Sequence, residues 1–186
     1  MTVNRDAETF QGARILADGE TLTRAIGESE MEHISASESG SFTWHSSFAT
    51  GGTNLECLTI ENTENDKDLV IEKIFLGSTV TATNFDIGVK SGGTPAGTVV
   101  TPTCFNRENI KDGTARSSAF GNASVTGSVT IETMWLIPVA PAVNPFVLDT
   151  EGAWLLGKGD TLVIASSADA TVSITVEGYF ADPSQL

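Results

Sequence analysis

Hydrophobic and polar residues alternate with a period of two through most of this chain. The clearest case is Thr171–Phe180, where Val172, Ile174, Val176 and Phe180 fall on one side and Thr171, Ser173, Thr175 and Glu177 on the other. Such a pattern predicts a strand with one face in a core and one in water. β-branched threonine on the wet side suits the extended backbone. With the Lys158-Gly159-Asp160 turn and Thr161–Ala165 before it, the stretch Gly152–Phe180 reads as two antiparallel strands, each preceded by a turn.

The pattern begins at Ser39. Ser41–Phe48 places Phe42, Trp44 and Ser46 on one face, and Leu55–Glu61 follows a Thr50–Thr53 turn. In Leu69–Leu76, Val70, Ile74 and Leu76 oppose Leu69, Ile71 and Phe75, so both faces are apolar. That arrangement calls for cover on both sides, by the arm or by another subunit. Asn84–Lys90 turns Phe85, Ile87 and Val89 inward, Ser91–Gly97 reads as a flexible turn, and Thr98–Phe105 as a strand interrupted by Pro102. The segment 106–126 is weakly patterned and reads as a long loop, the kind that is usually functional or mobile. Ser128–Pro138 and Phe146–Asp149 complete the set. Short strands separated by polar turns, with no convincing long helix or repeat, predict an all-β fold. Unequal connections favour a jelly-roll-like antiparallel β-sandwich over an up-and-down barrel.

Residues 1–38 stand apart from the sandwich expected over 39–186. They carry eight acids against three arginines and show no sustained strand pattern, although a short helix from Thr21 to Ile34 is conceivable around Leu22, Ala25 and Ile26. Two readings stand side by side: a solvated tail, or an extended arm that orders against a neighbouring subunit. Phe10, Ile15, Leu16, Leu22 and Ile26 are the apolar anchors that favour the second. Together with Leu69, Ile71 and Phe75 they form the subunit interface expected from the sequence.

Charge and candidate chemistry narrow the function. A net charge of −14 with only ten Lys and Arg argues against nucleic acid as a partner. No apolar run reaches the roughly 18 residues of a membrane helix, and no secretory leader is evident, so no membrane partner is expected. Cys57 and Cys104 lie in apolar strand settings and read as buried free thiols. His33 and His45 are the only histidines, too few for the metal set of a cupin-like jelly roll or for a convincing catalytic triad. The acidic loop Asn62–Asp68 offers oxygen ligands but lacks the spacing of a calcium loop, and is read as solvated. No carboxylate pair stands out among 24 acids. The expectation is a protein without catalysis, cofactor or metal. Trp135 falls in the inward register, which leaves Trp154 and Tyr179 as surface aromatics for a possible ligand such as a glycan.

From Gly97 onward the segments GTVVTPTCFNREN, TARSSAFGNASVTG and SVTIETMWLIPV, the Gly-Asp-Thr-Leu turn and the closing VSITVEGYF follow one another. In this order they resemble tailed-bacteriophage virion proteins built on jelly-roll modules. The resemblance implies a multi-copy building block of head or tail, without catalysis, and its matching positions are turn and core residues. The combined expectation is a capsid decoration or cement protein. It would act as a homo-oligomer, with a trimer favoured, on the outer surface of the virion and in contact with the major capsid or other virion proteins. The alternative is a phage tail or receptor/glycan-binding module using Trp154, Tyr179 and the segment 106–126.

Overall fold

A computed structural model describes residues 14–15, 21–22, 41–49, 55–79, 83–104, 116–127, 129–139, 146–167 and 170–183, giving the backbone alone for 14–15, 21–22, 55, 125 and 129–139. The described chain is almost wholly strand. β1 (Arg14–Ile15) and β2 (Thr21–Leu22) pair antiparallel as a small separate ribbon. The sandwich is built from β3 (Ser41–Ala49), β4 (Leu55–Asn62), β5 (Asp68–Ser78), β6 (Thr83–Ser91), β7 (Thr94–Val99), β8 (Thr103–Cys104), β9 (Ser117–Thr126), β10 (Val129–Val139), β11 (Phe146–Leu156), β12 (Asp160–Ser166) and β13 (Thr171–Ala181).

Two sheets face each other. One has the order β11-β5-β13-β3-β8 and the other β10-β6-β12-β4-β9-β7, with every pairing antiparallel. From β3 to β6, and again from β10 to β13, each successive strand crosses to the opposite sheet. The quartet β3-β13-β5-β11 lies over β4-β12-β6-β10, the doubly wound order of a jelly roll. Strands β7, β8 and β9 are an insertion that widens both sheets beside β3 and β4.

The inward residues close a single core that includes Phe42, Trp44, Leu58, Ile60, Ile87, Ile164, Ile174 and Phe180. Phe42 packs edge-on to Phe180, ring centroids 5.8 Å apart, and tilts against Trp44. Trp44 is fully buried, and its Nε1–H crosses between the sheets to donate to Ser117 Oγ at 3.1 Å, so the one polar atom of the largest core side chain is satisfied. The acidic loop 62–68 is tied down rather than solvated throughout. Buried Asn62 donates from Nδ2 to the carbonyls of Lys67 and Leu156, both at 2.9 Å, while its Oδ1 accepts the Glu64 amide. Glu64 in turn pairs with Arg116 at 3.3 Å, and the Arg116 guanidinium sits over the Phe180 ring.

Four expectations are corrected. Thr161–Ala165 and Thr171–Phe180 do not pair with each other. β12 lies between β4 and β6, β13 between β3 and β5, and the polar loop between them is an arch from sheet to sheet. Much of the expected loop 106–126 is strand β9, whose small residues hid its pattern. The expected turn Ser91–Gly97 holds the start of strand β7.

The fourth correction concerns the doubly apolar run. Both neighbours of β5 slip in register there: Glu177 pairs with Lys73 but Gly178 with Ile71, and Asp149 pairs with Lys73 but Trp154 with Ile71. This β-bulge at Glu72 shifts the phase of the strand. Leu69, Ile71, Ile74 and Leu76 therefore all point into the same core at 0% exposure.

Candidate interaction face on the five-stranded sheet

The outer face of the five-stranded sheet gathers the described groups left over from the core. Register sets Val147, Phe75, Thr175 and His45 in one row across β11, β5, β13 and β3, and Asp149, Lys73, Glu177 and Thr43 in the next. Phe75 is half-buried there, and beside it Gly77 and Ser173 carry too little side chain to fill the surface. The result is a shallow groove of about 320 Å³, lined by Phe75, Gly77, Ser173, Thr175 and Glu177. His45 closes one flank, its Nδ1 hydrogen-bonded to Thr175 Oγ1 at 2.9 Å.

Carboxylates surround one lysine at the groove's end. Lys73 Nζ lies 3.9 Å from Asp149 Oδ2, a solvent-exposed pair of small energetic weight. Partial burial pushes the Glu72 carboxyl above its ordinary range. Asp149 adds to the shift, Lys73 opposes it and Glu177 adds a further rise. Burial also raises Glu177, with Lys73 opposing. Next to them β11 leaves its ladder over Thr150–Ala153, with Glu151 at φ 52° and Gly152 at φ 72°. Thr150 Oγ1 donates to the Glu72 carbonyl at 3.0 Å and also contacts that of Ile71, so one strand's excursion is fastened to the other's bulge. Gly152 is favoured by its positive φ, while a Cβ there would meet Val70, Glu72 and Tyr179 only at ordinary contact distance.

The residues expected to form sites are placed as follows. Phe10, Leu16 and Ile26 lie outside the described residues, and Ile15 and Leu22 are seen only as backbone of the β1–β2 ribbon. Leu69 and Ile71 are enclosed between the two sheets of one chain, which removes them from any subunit contact. Phe75 does reach the outer face. Trp154 packs against the core from the sheet edge, and Tyr179 is 3% exposed, clustered with Val70 and Ala181 beneath the β11 excursion. Neither is the free aromatic surface expected. Three side chains that the sequence reading passed over are exposed instead, all on β11: Phe146 at 40%, Val147 at 46% and Leu155 at 49%. Their signal was present as two apolar clusters flanking Asp-Thr-Glu-Gly-Ala.

Neither a known protein family, nor a curated protein, nor a solved structure matches this chain.

Cys57 is fully buried and its thiol is pushed up to about 12 by burial, which leaves it protonated and unreactive at neutral pH. Cys104 is also buried, as a thiol outside any disulfide. Among the described residues no group of three histidines, cysteines or carboxylates is placed to hold a metal ion.

Proposed function

We propose that this chain is a virion structural protein of the capsid-decoration type. It assembles as a homo-oligomer on the outside of the particle and strengthens the shell through repeated contacts with its copies and with neighbouring capsid subunits. The phage-protein resemblance from Gly97 onward motivates the virion setting, and the jelly-roll order accords with it. The observation that carries the contact role is the exposure of Phe146, Val147 and Leu155 along one sheet-edge strand, with Val147 paired beside half-buried Phe75. At about 25 cal/mol per Å² of apolar surface, a modest contact repeated around a shell adds up to considerable resistance to rupture. The test is particle imaging together with binding of the purified protein to shells stripped of it. Saturable binding and density for the sandwich on the outer surface are expected, and absence from the particle refutes the reading.

A second reading, a tail or receptor-binding module, draws on the groove itself. An aromatic ring beside two hydroxyls and a carboxylate suits a sugar face. Specific binding on a glycan array, lost on Phe75→Ala, would favour it over decoration.

A further inference from the structure

The four sheet edges of this sandwich are not treated alike. β8 is only two residues long and covers just Phe42 and Thr43 of β3, β7 carries Pro95 and Gly97, and β10 carries Pro138 and two register irregularities. Short length, proline and irregular register are devices that stop an edge from recruiting another strand. β11 is eleven residues long, has no proline, lysine or arginine, and holds three of the four large hydrophobic side chains exposed among the described residues. Among the described residues its only guard is the excursion at Thr150–Ala153, which folds towards Val70 and Tyr179 on the sheet's outer face and leaves the two flanking segments paired to β5.

We infer that β11 is a self-pairing edge, at which a second copy of this chain adds its own β11 antiparallel about a twofold axis near Glu151. The apolar positions of the strand are complementary to themselves in that register, with the two Glu151 carboxylates meeting near the axis at the excursion. Val147 stands four positions before Glu151 and Leu155 four after, so the outward-facing Val147 of one copy lies opposite Leu155 of the other. Leu148 likewise lies opposite Trp154, and these are the two half-buried residues that seal the core at this edge. Inward residues meet inward ones and outward meet outward, which a register slip of one position would destroy. The two five-stranded sheets thereby become one continuous sheet, and the contact is isologous and closed at two copies. This rests on the oligomer part of the proposed function and replaces the trimer expected from the sequence with a pair at this edge.

The test is the mass of the full chain by light scattering over the micromolar to millimolar range, with Val147→Lys and Leu155→Lys alongside. The expected result is twice the 19.5 kDa of the chain for the unsubstituted protein. Each lysine should weaken association by about tenfold or more, equivalent to 1.4 kcal/mol, with the thermal melt of the monomer unchanged because both positions are exposed. A second variant pair reads the register directly: Val147→Cys with Leu155→Cys should give a disulfide-linked dimer on a non-reducing gel. A monomer throughout, an oligomer indifferent to both lysines, or pairing only with a strand from a different protein overturns the inference. A lysine-sensitive dimer that never reaches the particle leaves this contact standing and removes the virion reading instead.

Discussion

Gly178 is the position at which the β5 bulge can be tested most sharply. The register slip carries the Val70 carbonyl against its Cα: a Cβ added at Gly178 would stand 2.4 Å from that oxygen, with Leu69 Cδ1 and Trp44 Cζ3 both 3.5 Å away. The obstacle is backbone in the neighbouring central strand, so no rotamer change relieves it. Ordinary contact requires the two strands to part by about 1 Å, enough to stretch adjacent ladder hydrogen bonds beyond useful length. Losing one or two such bonds at roughly 1 kcal/mol each, plus overpacking against Trp44 and Leu69, gives about 3 kcal/mol of destabilisation for Gly178→Ala. For a chain of this size that corresponds to a fall in Tm of roughly 6–12 °C. Gly77→Ala, in the same sheet, is the control. Its added Cβ meets nothing closer than the Ser173 carbonyl oxygen at 3.7 Å, so it should be neutral or stabilise by up to about 1 kcal/mol through a less flexible unfolded chain. Urea unfolding of both variants at one protein concentration supplies the comparison. Equal midpoints, or Gly178→Ala within about 0.5 kcal/mol of the original protein, would refute the bulge as the cause of the packing.

Two further outcomes are expected. Glu72 has its folded-state carboxyl raised above the ordinary 4.5, so the folded state favours the protonated form. The stability this group contributes is fully present below its unfolded value and is lost as pH rises through the raised folded value. Glu72→Gln should therefore melt higher than the original protein at neutral pH and converge with it below pH 4.5, and parallel curves across that range would show that burial does not govern the group. For the thiols, an aromatic disulfide reagent should label neither Cys57 nor Cys104 in the folded protein and both after unfolding, because both are buried and the Cys57 thiol is held protonated. Rapid labelling of Cys57 without unfolding would contradict its place in the core.

Much of the fold was legible because alternation reports directly which side of a strand is buried. Phe42, Trp44 and Ser46, then Phe85 and Ile87, and then Val172, Ile174, Val176 and Phe180 all face the core as their spacing requires. The misreadings share a physical cause, since each depends on a partner strand remote in sequence. A bulge is a property of a pair of strands, so Leu69–Leu76 viewed alone looked like a strand needing cover on both sides. Proximity in sequence likewise made β12 and β13 look like partners, whereas their hydrogen bonds go to different sheets. β9 escaped notice because Gly121 leaves room for Ser46 across the core and Asn122 adopts a positive φ, a pairing of small residues with no hydrophobic period. The interaction face was the least legible part. Tyr179 alternates outward as its spacing says, but the β11 excursion that covers it is set by Thr150 bonding to β5, which no local pattern announces.

The late arrival of β13 in the chain has a consequence for biosynthesis. Thr175 is hydrogen-bonded to His45, 130 residues earlier, and β13 is the strand that joins β3 to β5. During translation, β3 leaves the ribosome with Phe42 and Trp44 uncovered and waits while nearly the whole of the remaining sandwich is made. Closure of so long a loop is slow, and the waiting intermediate has two apolar strands with an empty slot between them. The net charge of −14 opposes association between such intermediates until the slot is filled.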